Sequence, residues 1–328
     1  MTIHINCNAL SSTRGFYKAN PYAAAFVKTG VFAVSTAADS DLFVEVNGGV
    51  AQIPAATIVT MPGSATTGTD YAIWLRPTGS LEATADHTNP PVAGSRKIGG
   101  FHYAPGGNAT GTTGGNSTAQ INEYSFWDLK FRPVCSDPRG MTLVANAFWS
   151  DIYLTGVDAI SNGSSKYNVE IADGSSPPKI PTMFGGSGSS TYGSYTWFEA
   201  MELAMAFGKR GMTQQEYMAA CYGVTEASSR GTDPVSTILD ASRTSKWGLI
   251  QATGNLWAWG RDRAGANSNT ATEGRGSEFN APNGSLFGGI WGIGANSGSR
   301  CSNWSSAASI SYVYVGSRFA CDHLMLVT

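Results

Sequence analysis

The residues with the most chemical potential in this 328-residue chain are its five cysteines and four histidines. Cys7, Cys135, Cys221, Cys301 and Cys321 are odd in number and widely scattered, and no C-x-x-C pair occurs. Neither a disulfide framework nor a zinc site is expected from that pattern, and free thiols are. Asp322-His323 has the composition of a general base. No serine or cysteine nucleophile context surrounds it, however, and the only other histidines are His4, His87 and His102. A structural hydrogen-bonded pair closing the last strand is the expected role. Calcium-dependent sugar binding needs clustered carboxylate and amide oxygens. Neither Glu-Pro-Asn nor Gln-Pro-Asp is present, so no metal or other cofactor is expected, and no enzyme.

The aromatic residues point elsewhere. Trp247, Trp257, Trp259 and Trp291 crowd one stretch, and Trp304 follows. Such a density serves either as pillars in a domain poor in aliphatic core, which we favour, or as a surface that stacks sugars. Between Ile310 and Val315, a strand would place Ile310, Tyr312 and Tyr314 on one face by period-two alternation. That face is either core or a display surface.

The elements that must position these groups follow from composition and pattern. Charged residues are 13% of the chain, there are 40 glycines, and the net charge is -2. The surface is therefore mostly small and polar, without the basic face that nucleic acid or anionic lipid would require. Met1 to Leu10 lacks the charge and apolar run of a secretory signal, and no stretch is apolar enough for a membrane helix. Synthesis in a cytoplasm without membrane insertion is expected. The length suggests two domains.

From Ala23 to Leu129 the pattern is of short strands: Phe26-Val27, Phe43 to Val46, Thr57 to Met61 and Tyr71 to Leu75. Asn47-Gly48 is placed as a hairpin turn, and Pro105 to Gly115 is a loop too poor in apolar groups to pack. Two capping boxes, Thr196-Trp-Phe-Glu199 and Thr213-Gln-Gln-Glu216, predict helix starts. Phe198, Met201 and Met205, with Trp197 and Ala204 as further candidates, should form the apolar face of the first helix, and Tyr217, Ala220 and Cys221 that of the second. Beyond Lys246 we expect strands at Trp247 to Ala252 and Leu256 to Trp259, then a loop from Arg261 to Gly276.

Longer blocks carry a resemblance. Lys97-Ile-Gly-Gly-Phe-His-Tyr-Ala-Pro105, Ala119-Gln-Ile-Asn-Glu-Tyr-Ser125, Asp137-Pro-Arg-Gly-Met-Thr-Leu-Val144 and Phe148-Trp-Ser-Asp-Ile-Tyr-Leu154 are similar to segments of the phage major tropism determinants. So are Ile171-Ala-Asp-Gly-Ser175, Leu286-Phe-Gly-Gly289, Ser297-Gly-Ser-Arg300 and Cys321-Asp-His-Leu324. The likeness spans roughly residues 24 to 328. Those proteins are trimeric receptor-binding proteins of tail fibres whose C-terminal domain has a C-type lectin fold. The resemblance thus implies an α+β chain. A β-sandwich over residues 23–129 precedes a C-type-lectin-like domain over residues 130–328, of the variant found in formylglycine-generating enzyme. It also implies a homotrimer in the virion that binds a bacterial surface receptor, protein or glycan. A carbohydrate-binding lectin-like adhesin is the alternative.

The family carries an additional N-terminal β-prism domain, whereas here only Met1 to Asn20 precede the sandwich. Residues 1–22 are therefore expected to be the attachment segment for tail or baseplate proteins. Gly15-Phe-Tyr-Lys-Ala-Asn-Pro21 is the docking stretch, and a free terminus is the alternative. Receptor contacts in the family come from positions that a retroelement diversifies. By resemblance these are Ile290, Gly292, Ile293, Gly294, Asn296, Asn303, Ser305, Ser306, Ile310, Tyr312, Tyr314 and Val315, set in a framework of Trp291, Gly298, Ser299, Arg300 and Trp304. Gly316-Ser-Arg-Phe-Ala-Cys321 has some likeness to the closing motif of formylglycine-generating enzyme, with Cys301 as the candidate second thiol. Cys301 has no cysteine counterpart in the tropism determinants, so the likeness is taken as incidental.

Overall fold

The computed structural model describes residues 15–265, 269–271, 275, 277–279 and 282–324. In the N-terminal part, Leu42–Val46 points Leu42, Val44 and Val46 inward and Phe43 and Glu45 outward, the alternation of a strand with one solvated face. It turns through Asn47 and Gly48, both at positive φ (47° and 80°), into Gly49–Ile53. Two residues of positive φ match the right-handed twist of the strands they join, as the Asn-Gly pair predicts. This hairpin and Phe16–Tyr17 make a three-stranded sheet. A five-stranded sheet is built on Thr69–Leu75 and Arg96–Ala104. Phe16, Leu42, Val44 and Ile53 of the first share a core with Tyr71, Ile73, Ile98 and Phe101 of the second.

Two expectations need correction here. Thr57 to Met61 forms no strand of its own. Thr36 and Val34 bond it on one side and Leu81 on the other, so it crosses from one sheet to the next and makes isolated bridges. Nor is Gly15 to Pro21 a free docking stretch. Phe16 is fully buried, and Lys18 forms an ion pair with Asp128 at 2.6 Å in which both side chains are buried. Burial depresses the Lys18 amine, and the Asp128 carboxylate opposes that shift. Phe16 and Lys18 therefore pack onto the N-terminal sheets, while residues 19–23 are exposed. Residues 1–14, with His4 and Cys7, lie outside the described part.

The C-terminal part is also mostly strands, with few and short helices. Both capping boxes form, at Trp197–Ala206 and Gln214–Ala220. In the second helix Tyr217 and Ala220 are buried, and so is Cys221 at its C-terminal cap. In the first helix Trp197, Met201 and Ala204 lie against the core as expected, and only Met205 departs from the expected face. Glu199, Ala200, Leu203 and Ala204 are buried while Met205 is 68% exposed. The Glu199 carboxylate accepts the Thr196 amide at 2.9 Å, and this capping contact fixes which side of the helix faces Trp259 and Phe319. Trp247 to Ala252 is a buried turn region rather than a strand, and the expected loop after Arg261 contains the end of strand Trp257–Ala264 and a hairpin of Asn269–Ala271 with Ser277–Phe279.

The two parts are joined by polar contacts. Asp70 accepts the Gly140 amide and binds His102 Nδ1, each at 2.9 Å, and His102 Nε2 meets Tyr153 Oη at 2.9 Å. The loop from Pro105 to Gly115 packs after all, by backbone: Ala109, Gly114 and Gly115 amides donate to Ser245, Gly223 and Ala241 carbonyls. A Cβ on Gly114 or Gly115 would lie 2.6 Å or less from backbone atoms. The loop docks because it has no side chains there, which apolar counting cannot register.

Candidate functional site

The site is built on a four-stranded sheet ordered Ser302–Ser306, Asn283–Phe287, Trp257–Ala264, Val315–Gly316. Phe287 pairs with both Ala258 and Ser302, and Trp257 pairs with Val315. These residues mark one end of the sheet. Just past it the chain turns through Gly288 and Gly289, at φ 91° and 84°. A Cβ at either would meet Tyr217 Oη at 2.4 Å or Ser297 Oγ at 2.5 Å, so only glycine permits the turn. The Leu286-Phe-Gly-Gly289 block thus has a steric basis.

Beyond the turn, the Trp291 amide donates to Asn255 O at 2.9 Å, and its carbonyl accepts from Gly231 N and from Ser229 Oγ at 2.6 Å. A short 3-10 turn, Gly294–Asn296, follows, with the Gly294 amide on Ser229 Oγ. Ser297 is buried and donates to Ile290 O. Glu226 holds the next residues by accepting the Ser299 amide at 2.9 Å and its hydroxyl at 2.5 Å. These bonds give Trp291 and Ser297 to Ser299 fixed positions.

The second contributor is not the expected strand. Residues 310–314 run without ladder pairing, and Tyr312 to Val315 is a turn closed by Val315 N–H on Tyr312 O at 3.0 Å. The turn still sets the tyrosines together: their rings stack 5.1 Å apart at 27°, and Tyr314 meets Trp291 edge-on at 6.5 Å. Gly174 N–H donates to Tyr312 O, and a Cβ on Gly174 would lie 2.4 Å from Tyr312 N. The Asp173–Ser176 loop behind the turn is locked by Asp173 Oδ1, which accepts the Ser175 and Ser176 amides. Neither this loop nor Ser229 was foreseen, because nothing local in the sequence points from them to Tyr312 or Trp291.

The expected contact residues separate into groups. Ile290, Gly292, Ile293, Gly294 and Asn296 lie at the sheet end with Tyr312 and Tyr314. Gly292, Gly294, Asn296 and Tyr312 are exposed, as is the unforeseen Val313. Asn303, Ser305 and Ser306 lie on the edge strand, which runs away from that end, since Ser302 pairs with Phe287 but Ser306 with Gly284. Ile310 is half-buried and packs against the buried cluster that contains Trp259, Val315 and Phe319. Val315 is the exception: with 0% exposure it is a core residue beside Trp259 and Phe319, and offers nothing to a partner.

The pillar expectation also divides. Trp259 is fully buried, whereas Trp291 and Trp304 are half-buried, and Trp304 leans edge-on against Phe287 at 5.9 Å. Trp291→Ala should therefore lower stability by only about 1–2 kcal/mol, short of the roughly 3–5 that a fully buried ring would lose. Urea unfolding of the variant measures this.

The residues considered for catalysis serve other ends. His323 Nδ1 accepts from Trp149 Nε1 at 2.8 Å, while Asp322 binds Arg210 at 2.6 Å. They do not form the expected pair, because successive strand residues point to opposite faces. Cys321 lies beside Cys135 rather than Cys301. Among the described residues no group of three or more His, Cys, Asp or Glu is placed to hold a metal ion.

Comparison with known proteins bears on this geometry. A family model described as the Mtd second domain matches residues 24–128. The tail fiber receptor-binding protein of Bordetella phage BPP-1 is 48% identical over 327 residues, covering 95% of this chain and 85% of that protein. Among solved structures, the major tropism determinant M1 variant superposes with a TM-score of 0.92 at 47% identity, over 96% of this chain and 87% of that one. The U1 variant gives 0.91 at 48% identity, over 95% and 86%.

Proposed function

This chain belongs to the family of tail-fibre receptor-binding proteins that includes the major tropism determinants, and we propose that it reads its receptor at the end of the C-terminal four-stranded sheet. It is a phage receptor-binding protein. Its recognition surface comprises Ile290, Gly292, Ile293, Gly294, Asn296, Tyr312 and Tyr314, extended along the edge strand by Asn303, Ser305 and Ser306. Ile310 packs against the same core cluster as Tyr314, and Val315 is left out. The observation that carries this reading is the contiguous set of rings Trp291, Tyr314 and Tyr312, presented on backbone fixed from three sides. Tyrosine gives large contact area at low entropic cost, and a fixed loop loses little freedom on binding.

On this reading the domain is C-type-lectin-like, in the variant shared with formylglycine-generating enzyme. The assembly is a homotrimer in the virion, and several weak sites acting together hold the particle on its host. The N-terminal region meets the tail or baseplate. The receptor is a bacterial surface protein; the stacked Tyr312 and Tyr314 rings also favour a second reading, a lectin-like adhesin stacking sugars. Periodate treatment of host cells separates the two, since it abolishes only the glycan mode.

Tyr312→Ala should weaken binding of the purified protein to host cells by roughly ten-fold or more, about 1–2 kcal/mol, with unfolding unchanged because the ring is 46% exposed. Unaltered cell binding would remove Tyr312 from the surface.

A further inference from the structure

Two thiols 186 positions apart face each other across antiparallel segments. Pro133 is bridged to His323, flanked by the Val134 amide on Asp322 O at 3.0 Å and the Leu324 amide on Arg132 O at 2.8 Å. Continuing that register by two residues sets Cys135 opposite Cys321 on the same face. Directly opposed residues of an antiparallel pair have Cα atoms about 4.5–5.5 Å apart, within the roughly 4.4–6.8 Å that a disulfide spans. The chain bends at residues 134–136, which turns the Cys135 amide onto Cys321 Sγ at 3.1 Å. Both side chains lie in one buried cluster with Phe131, Met141 and Trp149.

We propose that Cys135 and Cys321 form a disulfide under oxidising conditions, closing the C-terminal domain, recognition surface included, into one covalent loop. The reactive partner is Cys321. Contact with the Cys135 side chain draws its thiol below the ordinary value against the opposing effect of burial, with the Cys135 amide at 3.1 Å and the Lys209 charge assisting. The same contact raises the Cys135 thiol. With a peroxide as oxidant, the Cys321 thiolate attacks one peroxide oxygen, the O–O bond breaks and hydroxide leaves, giving a sulfenic acid. The Cys135 sulfur then attacks the Cys321 sulfur, the S–O bond breaks, and the Cys135 proton leaves with that oxygen as water. Two thiols and one peroxide thus become one disulfide and two waters.

Strand Phe319–Asp322 lies between Phe148–Asp151 and Arg210–Gly211 in its sheet. Tying it to residue 135 fastens the last strand of the domain to its entry, and closing so long a loop restricts the unfolded chain strongly.

The test is peptide mapping of the full chain after treatment with hydrogen peroxide or with dithiothreitol, each followed by denaturation in alkylating agent. The peroxide-treated chain should yield a joined Cys135–Cys321 peptide lighter by two hydrogens, and a higher urea midpoint than the reduced chain. Cys135→Ser and Cys321→Ser should each abolish both effects, and Cys301→Ser neither. Full alkylation of Cys135 and Cys321 after peroxide, or linkage of either to another cysteine, overturns the proposal. The wild-type map decides the matter even if a serine variant folds poorly.

Discussion

Arg318→Leu is expected to leave the C-terminal domain unfolded or insoluble. Arg318 is 1% exposed, and the hydrogen bonds of its guanidinium go to main-chain carbonyls rather than to a carboxylate. One amine donates to the carbonyls of Asp151 (2.9 Å) and Ile152, and the other to Ile250 (2.5 Å) and Gln251 (3.3 Å). It thus ties the segment after strand Phe148–Asp151 to the turn at Ile250 and Gln251. Burial draws the guanidinium below its usual range, and the surrounding carbonyl dipoles compensate for lost water. Leucine fills part of the volume but leaves carbonyls without donors in a dry interior. Each buried carbonyl left without its donor costs about 1–3 kcal/mol, and four share this guanidinium, so the loss is a large part of a total stability of roughly 5–15 kcal/mol. Arg318→Lys should recover only part of this, because an ammonium cannot fork towards two segments. Soluble yield and the urea midpoint of both variants measure it; a soluble Arg318→Leu protein with an unchanged midpoint would contradict the assignment.

Lys209→Met should destabilise by a comparable amount, about 3–5 kcal/mol, for the opposite reason. It strands an anion. Asp151 is fully buried and meets Lys209 Nζ at 2.5 Å and Ser164 Oγ at 2.9 Å. Burial alone would depress the Lys209 amine, but the Asp151 carboxylate more than reverses this and holds it charged. Without the amine, the Asp151 carboxylate keeps the Ser164 hydroxyl as a neutral donor. The double variant Lys209→Met with Asp151→Leu should therefore recover much of the loss. Chemical denaturation of the three proteins gives the coupling, and a double variant no more stable than Lys209→Met would show that packing rather than charge dominates there. Because Arg318 also bonds to the Asp151 carbonyl, losses at Arg318 and Lys209 should not add.

Local signals in the sequence were legible. Asn47-Gly48 encodes its turn by backbone preference alone, and Thr196-x-x-Glu199 and Thr213-x-x-Glu216 satisfy their own helix starts. What the sequence hides is contact at a distance. Tyr312 and Tyr314 do lie side by side, but through a turn held by Gly174 rather than by strand alternation. Met205 is outward and Glu199 inward because capping overrides hydrophobic counting. Val315 resembles its exposed neighbours in sequence, yet pairing with Trp257 seals it into the core. The five cysteines gave no pattern along the chain, since the register that opposes Cys135 to Cys321 exists only once both segments are folded.

The most direct test of the central claim is a hydrogen-exchange footprint of the protein bound to host cell envelopes. Receptor binding should slow exchange at residues 290–296 and 311–314, with little change in the N-terminal sheets. Protection confined elsewhere, for instance to the separate surface cavity lined by Met218, Tyr222 and Trp247, would contradict recognition at the sheet end.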